Sequence, residues 1–369
     1  MKTVFNILSV EKLAVDKARL CFNGKTVRII KPKSRLYNHE NNTLSLLAIE
    51  TPNELCRLLK TSFNEIEYFI NNPSYASFQR PKKKGGYREI SAPSKNLKRI
   101  QKRLNYYLQA YYLSIKPKEV HGFVINPNYL GVQCNIANNA KVHVGKKTVL
   151  NIDLQDFFPN IRAKQVKELF CSDFFNFNEQ IANALTLLTT FNGRLPIGAP
   201  TSPVLSNFIC SQLDADLVTF CKSTGLCYSR YADDLTFSSD NKIPIDTILD
   251  LINLIRKNNF TINKKKLRVR LNNQKQTVTG IIVNKKINAD RKFLKKVRAM
   301  LHDLSTNGID CATLNHFHIE NDITDEQRIY FLNRLRGFIE FIGQIKGKND
   351  NTYINFMAKF NSASKLRVV

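Results

Sequence analysis

The chain has 369 residues, 43% of them hydrophobic, enough for one large domain or two to three subdomains around a sizeable core. Lys and Arg number 56 against 30 Asp and Glu, a net charge of +26 whose self-repulsion calls for a polyanionic partner. The basic residues are spread along the whole chain rather than along one amphipathic helix, which favours nucleic acid over a membrane surface. No apolar run reaches the length of a membrane span, and there is no low-complexity tract or solenoid repeat. Met1 to Phe22 lacks the apolar core of a secretory signal. The eight cysteines include no C-x-x-C pair, which argues against a zinc site or disulfide framework and fits a reducing cytoplasm.

Residues 1–50 read as a basic extension with weak periodicity and Asn-rich connectors at Asn38, Asn41 and Asn42. Thr51-Pro52-Asn53-Glu54 predicts a helix start, followed by an amphipathic run through Leu55, Leu58, Leu59, Phe63, Ile66 and Phe69 that ends near Asn72-Pro73. Gly85-Gly86, between two strand-like runs from Phe78 to Ile90, predicts a basic hairpin. A helix is expected from about Lys95 to Leu113, with Leu97, Ile100, Leu104, Tyr107, Leu108 and Tyr111 on its core face. Thr148 to Leu154 reads as a buried strand that carries an acid near its end. Just before it, Gly145-Lys146-Lys147-Thr148 lacks the first glycine of a phosphate loop and has Lys147 where Ser or Thr belongs, so it is set aside.

Helices are expected near 163–171 and 178–191, then a Pro- and Gly-punctuated loop from Leu195 to Pro203, then a helix with Val204, Leu205, Phe208, Ile209, Leu213 and Leu217 facing the core. Tyr231-Ala232-Asp233-Asp234 follows between short apolar runs. Successive strand side chains point to opposite faces, so both acids can serve one site only at the bend of a hairpin. Adjacent acids alone usually mark a solvated turn; in so basic a chain, with Asp153 at the end of another strand, they suggest a divalent-metal site acting on phosphates. A helix near 245–258, basic strand-like segments to Val283, and a basic helical tail carrying Arg291, Lys292, Lys295, Lys296 and Arg298 complete the chain. The order describes an α+β fold, one sheet backed by helices.

The succession Asn151-Ile152-Asp153-Leu154-Gln155-Asp156-Phe157-Phe158, Leu195 to Pro203 and Tyr231-Ala232-Asp233-Asp234 resembles the A, B and C motifs of reverse transcriptases over roughly residues 75–345. Asn139-Ala140-Lys141-Val142-His143 and Val278-Thr279-Gly280 resemble elements of the retron type, and Arg336-Gly337-Phe338 resembles that type's thumb. The resemblance implies a right-hand polymerase: a basic N-terminal extension at 1–50, fingers and palm at 51–285, with an antiparallel sheet backed by helices, and an α-helical thumb and RNA-binding region at 286–369. It implies RNA-directed DNA synthesis from a structured noncoding RNA, priming from a 2′-hydroxyl to leave a branched RNA–DNA product, and an effector protein partner in anti-phage defence. Alternatives are a group II intron-like or abortive-infection reverse transcriptase, or a non-catalytic RNA-binding scaffold.

By the same resemblance, Asp153, Asp233 and Asp234, with the Leu154 carbonyl, would hold two Mg²⁺ ions, with Mn²⁺ as a substitute. Lys266 would be the acid for the leaving pyrophosphate, with Lys265 the next candidate. Arg88 and Lys83, taken from Lys82 to Lys84, would bind the dNTP triphosphate. Phe158 would exclude a 2′-hydroxyl from the nucleotide pocket, beside Ile197 and Gly198. Many relatives have Gln where this chain has Ile197, so that polar contact is not carried over. Asn139, His143, Val278, Thr279 and Gly280 would select the RNA, while Asp156 is read as a structural residue that caps or hydrogen-bonds locally.

Overall fold

The computed structural model describes residues 38–82, 85–126, 133–317 and 323–365. The chain starts with α1 (Asn38–Leu47), α2 (Pro52–Leu59) and α3 (Phe63–Asn71). Part of the expected N-terminal extension is thus a helix; α1 packs against α4 (Lys95–Ile115), with Leu46 fully buried and Ile49 nearly so. The single amphipathic run expected after Thr51 is two helices. Thr51 and Glu54 form a capping box at the start of α2. Lys60 then turns left-handed at φ 51°, and Ser62 caps α3 by accepting from the Glu65 N–H.

Strands β1 (Tyr75–Pro81) and β2 (Tyr87–Pro93) form the expected hairpin, antiparallel, with Arg80 opposite Arg88. α4 buries Leu97, Ile100, Leu104 and Leu108, as its spacing predicts. Next come α5 (Ile136–Lys141), β3 (Thr148–Asp153), a short α6 (Phe157–Asn160), α7 (Ala163–Cys171) and α8 (Glu179–Thr189). The core-facing helix after the Pro/Gly loop is divided at Cys210 into α9 (Ser202–Ile209) and α10 (Ser211–Thr224). Strands β4 (Cys227–Tyr231) and β5 (Asp234–Ser239), then α11 (Ile245–Lys257), follow. The principal sheet has four strands in the order β4-β5-β3-β6, with β6 (Arg268–Leu271) antiparallel to β3. A small antiparallel pair, β7 (Thr277–Val278) and β8 (Ile281–Ile282), precedes α12 (Arg291–Thr306), α13 (Gly308–Phe317), α14 (Asp325–Lys346) and α15 (Asn351–Lys365).

The chain divides into two compact units. The first comprises residues 1–134, 152–235 and 244–267; the second comprises 135–151, 236–243 and 268–369. This differs from a linear boundary at 285/286. Residues 135–151 and 268–285 belong with the C-terminal helices because Ala137, Ala140, Val149, Val278, Ile281 and Val283 share one apolar core with Val297, Met300, Leu335 and Ile339. Among the described residues no helix is long and apolar enough to cross a membrane.

Candidate active site

Asp153, Asp233, Asp234 and Lys266 all lie in the first unit, and backbone pairing brings them together. Ala232 is left-handed at φ 60° and makes the bend between β4 and β5 that the acid pair requires. The Leu154 N–H donates to the Asp233 carbonyl at 3.0 Å, which ties that bend to the end of β3. On the other side of β3, Leu154 pairs with Ile262 through bonds from Gln155 N–H to the Thr261 carbonyl (2.7 Å) and from Asn263 N–H to the Asp153 carbonyl (2.8 Å). That pairing does not use the Leu154 carbonyl. A tight 3₁₀ turn at Lys264–Lys266, closed by the Lys266 N–H donating to the Asn263 carbonyl, then returns the Lys266 side chain to Asp153. Its Nζ lies 2.8 and 2.9 Å from the two Asp153 carboxylate oxygens.

The acids perturb one another. Burial pushes the Asp233 carboxyl up; the Asp153 charge adds to this, while Lys266 and Arg88 oppose it. Asp234 is pushed up to about 7, first by burial and then by Asp233 and Asp153. Its side chain is nevertheless exposed to solvent, which screens that repulsion and weakens the effect of burial. Among the described residues no group of three His, Cys, Asp or Glu side chains is placed closely enough to hold a metal ion. The donor chemistry nevertheless fits hard divalent cations: carboxylates crowded enough to resist ionisation gain from a positive charge between them.

The other nucleotide-site candidates in this unit are linked by backbone contacts. The Ser91 N–H, on the strand that carries Arg88, donates to the Ile197 carbonyl at 2.8 Å. Gly198 has φ 124°, and a Cβ there would stand 2.9 Å from the Ser91 carbonyl oxygen, so this close approach requires glycine. Ile197 is half-buried and Arg88 exposed. The half-buried Phe158 ring stacks on Phe123, with centroids 5.7 Å apart and planes 29° apart. Lys83 lies outside the described residues. Asp156 is left-handed at φ 43° and its side chain makes no capping hydrogen bond; its backbone carbonyl accepts from the Asn160 N–H instead.

A buried network under the acid-bearing bend has no counterpart in the sequence reading. Arg230 and Asp214 are both fully buried and paired at 2.6 Å. Arg230 also donates to the Asn207 side-chain oxygen (2.9 Å) and to the Ala232 carbonyl (3.2 Å), while Tyr228 donates to Asp214 (2.8 Å). Burial is the largest single influence and works to lower the Arg230 pKa, but the Asp214 charge and hydrogen bond, with Cys210 and Tyr112, together outweigh it and the net shift is upward. Asn207 donates to the Gly122 carbonyl at 3.0 Å. Gly122 itself packs on the bend: a Cβ there would stand 2.3 Å from the Ala232 nitrogen. The available signal was an arginine inside the short strand before the acids and an aspartate beside Leu213 on an otherwise apolar helix face.

All five RNA-selection candidates fall in the second unit, where the two short elements meet. α5 packs on β7 and β8, and the Thr279 hydroxyl donates to the Ile136 carbonyl at 3.3 Å. Asn139, His143 and Val278 are fully buried, whereas Thr279 is partly buried and Gly280 exposed. His143 bonds Ser238 at 2.7 Å; both polar atoms of the Asn139 side chain lack a hydrogen-bond partner among the described residues. Of the basic tail, Lys296 rests over the Phe338 ring and Arg298 over Phe356.

The model of the family described as "Reverse transcriptase (RNA-dependent DNA polymerase)" matches residues 80–283, more than half of the chain. The chain belongs to the reverse transcriptase family. The matched span contains every acid and cation placed at the site above. Within the family the similarity is to the retron type. The retron Mx65 reverse transcriptase of Myxococcus xanthus is 33% identical over 259 residues, 64% of this chain and 58% of that protein. The retron Ec86 reverse transcriptase of Escherichia coli is 33% identical over 227 residues, 61% of this chain and 64% of that protein. The chain thus spans less than two thirds of the length of these relatives. Solved telomerase structures from Candida albicans and Candida tropicalis, each with a telomeric RNA fragment, align over 79% and 80% of this chain and 63% and 55% of theirs, with TM-scores of 0.43 at 8% and 12% identity.

Proposed function

We propose that this reverse transcriptase is the RNA-directed DNA polymerase of a retron, copying a structured noncoding RNA into single-stranded DNA. The observation that carries the reading is the convergence of Asp153, Asp233, Asp234 and Lys266 on one site inside the span matched by the family. Asp153, Asp233, Asp234 and the Leu154 carbonyl would hold two Mg²⁺, with Mn²⁺ as a substitute. When bound, such ions stabilise the attacking and leaving oxygens of phosphoryl transfer. Arg88 would hold the triphosphate of the incoming dNTP, with Lys83 assigned beside it, and Ile197 and Gly198 would line the nucleotide pocket. Phe158, backed by Phe123, would press against C2′ and exclude a ribose hydroxyl. The primer hydroxyl gives its proton to water as its oxygen forms a bond to the α-phosphorus and the bond to the pyrophosphate oxygen breaks, and Lys266 gives a proton to that leaving oxygen.

In the finer reading, the first attack comes from a 2′-hydroxyl of the RNA and leaves a branched product. The protein acts in the cytoplasm with an effector protein in anti-phage defence. General RNA affinity would come from the basic surface that includes Arg291, Lys292 and Lys295, and would fall steeply with salt. Folded RNA would be read by the accessible Thr279 and Gly280, with Asn139, His143 and Val278 shaping that surface from beneath. The test of the central claim is Asp233→Asn. It should abolish primer extension by purified protein while leaving RNA binding within about twofold, since the phosphate contacts that dominate affinity lie on other residues. Full synthesis by the variant would overturn the assignment.

A further inference from the structure

We propose that Lys266 is a competing internal cation at the metal site, and that the free enzyme binds divalent metal weakly because this lysine occupies Asp153. The inference rests on the reading of Asp153 as a metal ligand. Lys266 Nζ sits within hydrogen-bond distance of both oxygens of the Asp153 carboxylate, at 2.8 and 2.9 Å. A carboxylate gripped on both oxygens by an ammonium offers a metal ion a poorer, partly neutralised donor. The grip is built into the backbone. The Asn263 N–H is fixed to the Asp153 carbonyl, and the 3₁₀ turn that follows leaves only Lys264 and Lys265 between that anchor and Lys266. The lysine therefore has a high local concentration at this one acid.

The pair is also releasable. The Lys266 side chain is 51% exposed against 12% for Asp153, so the ammonium can swing into water, and the largely buried Asp153 carboxylate it leaves would be compensated by the arriving metal ion. The contrast with Arg230–Asp214, where both partners are fully buried, separates a structural pair from an exchangeable one. A metal ion arriving at Asp153 would eject Lys266, and the freed ammonium would then be available to the leaving pyrophosphate. Metal loading and release of the proton donor would be one exchange. The released lysine could not donate before metal is in place, which ties its role to a loaded site.

The test measures Mn²⁺ binding to the full chain, stripped of nucleic acid and without nucleotide, from the electron-paramagnetic signal of the free ion. Lys266→Met should tighten Mn²⁺ binding about tenfold, because the apparent affinity scales with the fraction of Asp153 free to bind. Lys265→Met removes the same charge from the adjacent position and should change affinity by less than about twofold, the size expected of a solvent-screened charge. Asp153→Asn should abolish the site. Equal tightening in both lysine variants would mean that general charge, not occupancy of Asp153, is at work, and would overturn the inference. So would loss of the site in Asp153→Asn with no tightening in Lys266→Met, which leaves the metal assignment standing. Unchanged Mn²⁺ binding in Asp153→Asn would overturn the metal assignment and the inference together.

Discussion

Gly122 offers the sharpest test of how the acid-bearing bend is held. A Cβ at this position would lie 2.3 Å from the Ala232 nitrogen and 2.9 Å from the Tyr231 carbonyl carbon, where ordinary contact begins at 3.4 Å. All of these neighbours are backbone, so no flexible side chain can give way. Gly122→Ala must move the bend or its own segment by about 1 Å, and a misplacement of that size typically costs about 100-fold in rate. Its own segment is pinned: the His121 N–H donates to the Arg230 carbonyl, and Asn207 holds the Gly122 carbonyl. The displacement therefore falls on Ala232 and on Asp233 next to it. Single-turnover extension of an annealed primer–template should fall about 100-fold. Cooperative urea unfolding should persist, because the substitution opens no cavity and buries no charge. Gly337→Ala is the control: nothing lies within 4 Å of its Cβ and it sits inside α14, so it should gain about 0.5–1 kcal/mol of stability. Wild-type extension rates in a folded Gly122→Ala protein would refute the close-packing argument.

The remaining predictions concern the buried network, acid stability and sugar choice. Asp214→Asn strands the Arg230 charge in the core and should cost about 3–5 kcal/mol in urea unfolding. A loss below about 1 kcal/mol would mean that the pair does not bear on stability. His121 is buried; burial first, and the Lys116 charge second, lower its pKa from 6.5 to about 4. Below 6.5 the unfolded chain takes up a proton that the folded chain refuses, so this contribution is present at neutral pH and is lost as pH falls towards 4. The two values imply about 3 kcal/mol over the whole window. His121→Gln should flatten that part of the pH–stability curve, and parallel curves for variant and wild type would refute it. Phe158→Ala should raise rNTP incorporation relative to dNTP while extension with dNTPs continues; an unchanged ratio in an active variant would place sugar selection elsewhere.

What could be read in the sequence followed the range of the interactions involved. The capping box at Thr51, the core stripe of α4 and the bend at Ala232-Asp233 are set by residues within a turn or two of one another, and each was legible. The break at Lys60 was signalled only by Ser62 three residues before Glu65, which a continuous apolar stripe outweighs. Arg230 and Asp214 were hidden because each reads singly as a surface charge, and only folding brings them together. The second unit was illegible as a unit for a related reason. Its core combines Ala137, Val149 and Val278 with helices that begin at Arg291, and no local pattern announces a core drawn from three separated stretches. Two short resemblances that looked independent in sequence, Asn139 to His143 and Val278 to Gly280, are neighbours joined by the Thr279–Ile136 bond.

The charge of the chain and the chemistry of its site belong to one argument. A net charge of +26 makes almost every surface of such a protein hospitable to phosphate, yet chemistry on phosphate needs a place where positive charge is concentrated and replaceable rather than fixed. Side-chain cations alone would bind the polyanion and hold it. Grouping Asp153, Asp233 and Asp234 creates a local negative pocket in a positive chain, visible in the upward shifts of Asp233 and Asp234. Such a pocket recruits mobile cations to one point. Arg88 and Lys266 moderate it without filling it: both favour ionised Asp233, and Lys266 does the same for Asp234. Exposed Arg88 remains free of the fully buried pairing that fixes Arg230, and Lys266 is half in solvent. On the proposed reading the cations that would face the reaction are the accessible Arg88 and Lys266, and the cation that holds the bend, Arg230, is the one locked to its acid.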